Sequence, residues 1–191
     1  MEKGTLIGLC GWQGSGKTTV ANFLKDLGFI EVGLADVLKE LSALIVDIPL
    51  EVLRAETPEL REQRETMVCK DFGITGREAL EQIGTDLFRK HFHPDTWLIV
   101  AFRQVNKLLA EGKSVVISDI RFVNEFKKIK QTNGTLWYIV RDETKTVLTD
   151  EMRHTHPSKW EHLLFCDQAT RINNFGTLDG LNSHICELIS S

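Results

Sequence analysis

No stretch of this sequence stays apolar for the roughly 20 residues a bilayer-spanning helix needs, which excludes a membrane anchor of that kind. Cysteine is scarce: Cys10, Cys69, Cys166 and Cys186 are scattered, and none forms a CxxC pair. That spacing excludes a disulfide framework and points to a reducing compartment. Basic charge is not in excess either, with 23 Lys and Arg against 27 Asp and Glu and a net charge of −4. A general nucleic-acid coat is therefore excluded, and any polyanion must be met at a local site. Internal repeats and low-complexity tracts are missing. The opening MEKGTLIGLCG turns glycine-rich too early for a secretory leader. The expected location is cytoplasmic, the cytoplasm of a host if a virus carries the sequence, with neither membrane nor nucleic acid as partner.

What is present is ordinary for a soluble domain: 191 residues, 42% of them hydrophobic and 26% charged. Short, nearly continuous apolar runs lie at 5–10, 29–34, 114–118 and 135–140, with a weaker one at 169–173. Such runs predict parallel strands covered on both faces. Helical spacing predicts helices over 17–27, 36–46, 57–71, 77–92, 97–111, 122–131 and 178–189. Strands alternating with helices predict a doubly wound α/β fold with a five-stranded parallel sheet. The stretch 47–92 carries no strand signal and reads as a helical insert on the substrate side of a single domain. Residues 142–165 read as a lid-like segment.

The first apolar run ends in Gly11-Trp-Gln-Gly14-Ser15-Gly16-Lys17-Thr18, which matches GxxxxGK[ST]. Glycines let consecutive backbone N–H groups curl around phosphate oxygens, and the helix that follows turns its positive end to the same anion. Gly11, Gly14, Ser15, Gly16 and Thr19 would shape the cradle for ATP. Lys17 would reach the β- and γ-phosphates, and Thr18 would offer a hydroxyl to Mg²⁺. Strand before and helix after are the context this P-loop motif requires.

The use made of the γ-phosphate follows from what accompanies the loop. DxxG and NKxD do not occur, which argues against a GTPase. A kinase for a small phosphorylated acceptor needs a second anion site, because two polyanions must meet against their repulsion. Candidate groups sit near strand ends, where open α/β sheets bind ligands: Asp36 and Lys39 in LADVLK, Asp119 and Arg121 in SDIR, and Arg141 after WYIV. Arg77 opens a helix, where the dipole disfavours a cation unless an anion joins it. Asp119 resembles a Walker B carboxylate, a metal ligand beside Thr18, although a turn aspartate fits as well. Asp36 could instead cap its helix, and Arg141 could lie in a surface ion pair. Asn173 and Asn174 suit either an adenine contact or a plain turn. Trp12 fits against a nucleotide or against the insert. The histidines at 91, 93, 154, 156 and 162 lack HExxH or CxxC company, so no zinc site is expected.

These motifs together resemble the bacteriophage-type deoxynucleoside monophosphate kinases. The resemblance rests on GWQGSGKTT, LADVLK, GREALEQIGTDLFRKHFHPDTW, VVISDIRFVNEFKKIKQTNGTLWYIVR and INNFGTLDGL, which run across most of the chain. It implies a P-loop kinase fold and transfer of the ATP γ-phosphate, with Mg²⁺, to a deoxynucleoside monophosphate. It further implies that Lys39, Arg77, Arg121 and Arg141 contact the acceptor phosphate or the transferring group, and that Asp119 is the strand-end acid. Gly84 would permit close approach to the nucleotide or to a neighbouring helix. Two departures stand out. Glu81, with Gln82 beside it, occupies a place where relatives carry glutamine. The late HxSE-like segment reads His156-Pro-Ser158-Lys159, with Glu161 displaced by two. His156 would join a lid over the phosphates. Two other readings stay open: a phosphomevalonate kinase-like enzyme, and a nucleotide-binding regulator without catalysis. Self-association into a homodimer is left open as well.

Overall fold

The computed structural model describes residues 4–143, 147–155 and 159–190. Contacts divide the chain into two units, Met1–Gly33 with Val105–Ser191, and Leu34–Gln104.

The first unit is built on five strands: β1 (Leu6–Cys10), β2 (Ile30–Glu31), β3 (Val115–Ile117), β4 (Thr135–Val140) and β5 (Thr170–Asn173). Their order is β2-β3-β1-β4-β5, and every pairing is parallel. Register places Gly8 of β1 opposite Ile117 on one side and Leu136 on the other. All residues of β1 and β3 are buried, as continuous apolar runs require when helices cover both faces. On one face, α1 (Lys17–Asp26) and α9 (Leu178–Ser190) pack Val20, Leu24, Leu181 and Ile185 against Leu9, Trp137, Ile139 and Ile172. On the other, Ile129 of α7 (Val123–Gln131) closes over Gly8 and Leu136. The strand expected over 29–34 contracts to two residues, because β3 is only three residues long and offers little ladder to pair with. One further bond, from the Val32 amide to the Val116 carbonyl at 3.0 Å, continues the edge.

The second unit is helical: α2 (Asp36–Val46), α3 (Leu50–Arg54), α4 (Pro58–Thr66), α5 (Gly76–Glu81), a π-helical segment over Gln82–Arg89, and the first part of α6 (Thr96–Ala110). The expected insert at 47–92 falls inside its bounds. Helix α3, at five residues, is too short to show a period in the sequence. Helix α4 starts where expected, with the Thr57 hydroxyl accepting from the Leu60 amide at 3.3 Å. It stops at Thr66 rather than near 71, since Met67 is extended and the Cys69 amide turns back to the Ile74 carbonyl at 2.8 Å. A reciprocal capping box opens α5: Thr75 Oγ1 accepts from the Glu78 amide while Glu78 Oε2 accepts from the Thr75 amide.

The helix expected over 77–92 leaves α geometry at Gln82. Its carbonyl at Gly84 receives the buried indole N–H of Trp97 at 3.0 Å, which ties α6 to the π segment. Trp97 packs there with Leu38 and Ile83. A Cβ on Gly84 would stand 2.6 Å from Leu38 Cδ2, so this glycine lets α2 and the π segment close on each other. Close approach to a helix, one of the two roles open for Gly84, is the one this contact supports.

Trp97→Phe keeps the ring and leaves the Gly84 carbonyl without its donor. Urea unfolding should show a loss of about 1–3 kcal/mol. A variant as stable as the parent would mean that the indole bond contributes nothing.

Candidate active site

The carboxyl ends of β1, β3, β4 and β5 carry the groups singled out in the sequence. The glycine loop leaves β1, Asp119 and Arg121 follow β3, Arg141 directly follows β4, and Asn174 directly follows β5. Strand order reverses at β1, whose neighbours β3 and β4 both come later in the chain, so the loop stands at the switch point where such sheets bind ligands.

Locally, the loop is made for an anion. Gly11, Gly14 and Gly16 all have positive φ, which turns successive amides to one side. The Ser15 amide closes a turn on the Trp12 carbonyl at 3.1 Å. Gly16 is the N-cap of α1, with φ of 103°; no side chain caps this end, and no acidic residue stands in the first turn. A Cβ there would also lie 2.2 Å from Asn174 Nδ2. Asn174 donates through that nitrogen to the Ser15 carbonyl at 2.9 Å, so the end of β5 fastens the loop from behind.

Lys17 Nζ donates to the Gly11 and Trp12 carbonyls, each at 2.8 Å. Burial, with the nearby Arg121 charge adding to it, pulls its ammonium down to about 8; Cys10 and Asp119 pull weakly the other way. The Cys10 thiol itself is pushed well up by burial and stays an inert core group. Thr18 and Thr19 are exposed on the first turn of α1, Asp119 is half-buried, and Arg121 and Arg141 are exposed. A cleft of about 170 Å³ opens beside the loop, lined by Trp12, Gly14, Ser15, Tyr138, Arg141 and Asp142.

Three groups here were given no role by the sequence reading. Glu125, only 5% exposed, accepts from the Arg121 amide at 2.7 Å and the Phe122 amide at 3.0 Å. Glu161 accepts from the Val123 amide at 2.9 Å across 38 positions of chain. His162, 2% exposed, sets its ring edge-on to Trp12 with centroids 5.3 Å apart. Burial, then the charges of Lys17 and Arg121, push His162 down to about 4, so it is neutral at physiological pH. The glutamate at the third position of α7 was a readable capping signal. The other two contacts are long-range, and local spacing cannot announce them.

In the helical unit, Asp36 stands in the first turn of α2 while Ala35 takes the cap position. It pairs with Lys39 at 3.4 Å. Arg77, on α5, is half-exposed and donates to Glu81 Oε1 at 2.8 Å. His156 lies outside the described residues. Among the described residues no group of three or more metal-ligating side chains gathers, and no helix is long and apolar enough to cross a membrane.

Comparison with known proteins identifies the family and the fold. Residues 53–185 match the family model described as deoxynucleotide monophosphate kinase. A protein of Acanthamoeba polyphaga mimivirus, provisionally named a deoxynucleotide monophosphate kinase, is 36% identical, covering 82% of this chain and 81% of its own. The fold is similar to dephospho-CoA kinase from Campylobacter jejuni, with a TM-score of 0.54 at 15% identity over 97% of this chain and 96% of that one. It is also similar to a provisionally named kinase from Chloroflexus aurantiacus, with a TM-score of 0.51 at 12% identity over 100% and 98% of the two chains. These likenesses make the sheet unit a P-loop kinase fold.

Phosphates arriving at Lys17 favour its charged form, whereas the free site lowers its pKa to about 8. Binding of a non-hydrolysable ATP analogue should therefore take up protons, increasingly so from about pH 7 to about pH 9. The dependence of calorimetric binding enthalpy on buffer ionisation enthalpy measures this. Uptake that stays at zero across that range would mean Lys17 keeps its ordinary ammonium.

Proposed function

The chain belongs to the deoxynucleotide monophosphate kinase family, and from that premise we propose which of its side chains carry the transfer. The enzyme is a phosphotransferase that uses ATP and a deoxynucleoside monophosphate: ATP + dNMP → ADP + dNDP. That reaction asks little covalent chemistry of a protein; it asks for alignment of two anions and for compensation of charge on the moving phosphoryl group.

In this proposal the amides of Gly14, Ser15 and Gly16 and the open end of α1 receive the phosphates, with Gly11, Thr18 and Thr19 framing them. The observation that carries the reading is this uncapped helix end, joined to a lysine whose charge the free protein disfavours. Lys17 exchanges its two loop carbonyls for β- and γ-phosphate oxygens. Asn174 serves the nucleotide by fixing the loop through the Ser15 carbonyl. The Thr18 hydroxyl and the Asp119 carboxylate make an all-oxygen donor set, which suits a hard cation that keeps waters and phosphates in its shell. They would hold Mg²⁺, which when bound neutralises charge shared between the phosphates.

The acceptor phosphate falls to Lys39 and Arg77 of the helical unit and to Arg121 and Arg141 at the strand ends. Asp36 orients Lys39 through their ion pair. Segment 142–165, with His156, acts as a lid that keeps water from the γ-phosphate. Arginine suits the acceptor role because its planar fork meets phosphate oxygens in pairs.

A panel of dNMPs, NMPs and phosphomevalonate, followed by ADP release, should show turnover with dNMPs and none with phosphomevalonate. Lys17→Met should lower kcat by at least about 100-fold. Arg77→Ala should raise the KM for dNMP by about 10-fold or more while leaving the KM for ATP within about threefold. Wild-type kcat/KM for dNMP in each of Arg77→Ala, Arg121→Ala and Arg141→Ala would remove all three from the acceptor site.

A further inference from the structure

Arg121 and Lys17 stand on different loops; in the reading above Lys17 meets the γ-phosphate and Arg121 the acceptor phosphate it moves to, so the spacing of the two loops sets the alignment of the transfer. Two adjacent residues in the returning segment, Glu161 and His162, reach both loops. Glu161 Oε1 accepts from the Val123 amide at 2.9 Å. Together with Glu125, it leaves each of the successive amides of Arg121, Phe122 and Val123 bound to a carboxylate oxygen. His162 turns the other way and lays its ring against Trp12, 5.3 Å between centroids at 82°. The carbonyl of Trp12 is one of the two that hold Lys17 Nζ. Both contacts belong to a single short 3₁₀ turn, Glu161–Leu164.

That turn is itself anchored. Phe165, 1% exposed, stacks on Phe126 of α7 with centroids 4.9 Å apart and planes 6° apart. His162 also meets Tyr138 of β4 at 5.9 Å. Its Nε2 is buried with no hydrogen-bond partner among the described residues. A buried ring nitrogen left unpaired is unfavourable for the fold, so the ring contact with Trp12, rather than a hydrogen bond, is what His162 contributes here. A neutral ring does suit a place beside two cations, because a charged group there would add a third like charge.

We propose that Glu161 and His162 form a brace that sets the spacing between the phosphate loop with Lys17 and the Arg121 loop. Both are positioning residues: they act through Val123 and Trp12 and touch no reacting atom. The proposal rests on the kinase reading above and deepens it. Phosphoryl transfer is sensitive to displacements of about 1 Å in the groups that align it, so a loosened brace should slow chemistry more than it weakens nucleotide binding.

The test compares Glu161→Ala with Glu161→Gln and His162→Ala with His162→Phe, by steady-state kinetics with ATP and a dNMP. Glutamine keeps an oxygen that accepts from the Val123 amide, and phenylalanine keeps a ring edge against Trp12. Both alanine variants should lose about 10-fold or more in kcat with the KM for ATP within about threefold, and both conservative variants should recover to within about threefold of wild type. Alanine variants with wild-type kcat would overturn the brace. So would a loss that appears in the KM for ATP alone, or a loss equal in the alanine and conservative members of each pair. If circular dichroism shows that Glu161→Ala does not fold, the His162 pair decides by the same criteria. Wild-type turnover of dNMP is the control: its absence strikes the kinase reading, whereas its presence with unaffected variants strikes the brace.

Discussion

Positive charge held in a poorly hydrated place is the constraint around which the sheet edge is organised. Lys17 is part-buried, and Arg121 is near enough to disfavour its ammonium further. The surroundings answer in ways that keep the field available. Among the described residues Lys17 is held by neutral carbonyls of its own loop rather than by a carboxylate at bonding distance. His162 stays uncharged. Glu125 and Glu161 turn their oxygens to the backbone amides at the start of α7. A carboxylate paired directly with Lys17 would have stabilised the free protein and competed with phosphate for the same donor. The arrangement makes an anion the best available partner, a form of preorganisation whose cost falls on the protein itself.

How much of this was legible in the sequence follows from the range of the interactions. The parallel sheet showed as continuous apolar runs, and the glycine loop showed as spacing, because both are local patterns with one dominant physical cause. Helix α2 was readable to its ends from the spacing of Val37, Leu38, Leu41, Leu44 and Ile45, but its buried face is Leu38, Ser42 and Val46, and Val37, Leu44 and Ile45 are exposed. The kinase family came from segments spread over most of the chain, and the matches at residues 53–185 agree with it. What failed to show was decided by partners far along the chain or by lengths below a helical period. β2 shortened because β3 offered only three residues to pair with. α4 stopped early because Cys69 found Ile74. The clasp of Glu161 on Val123 joins positions 38 apart, and no window of local periodicity contains both.

Asn174 illustrates the same limit at the site. As a residue just past the last strand it invited a contact with a base. Its side-chain amide donates to the Ser15 carbonyl and sits where a Cβ on Gly16 would have to be, a contact across 159 positions of chain. Glycine at 16 thus answers two demands at once, a left-handed backbone and room for an amide from β5. The consequence is that β5, the edge strand, has a direct hold on the phosphate loop beside β1, although β4 lies between them.

The π-helical stretch Gln82–Arg89 widens the helix that begins at the Thr75 cap. A wide turn of this kind stores one residue more than the α-helix it interrupts. Losing a single residue there would let the helix close to ordinary α winding while the turns on either side kept nearly the same facing. Within this chain the Trp97 indole is seated on a carbonyl inside that wide stretch, at Gly84.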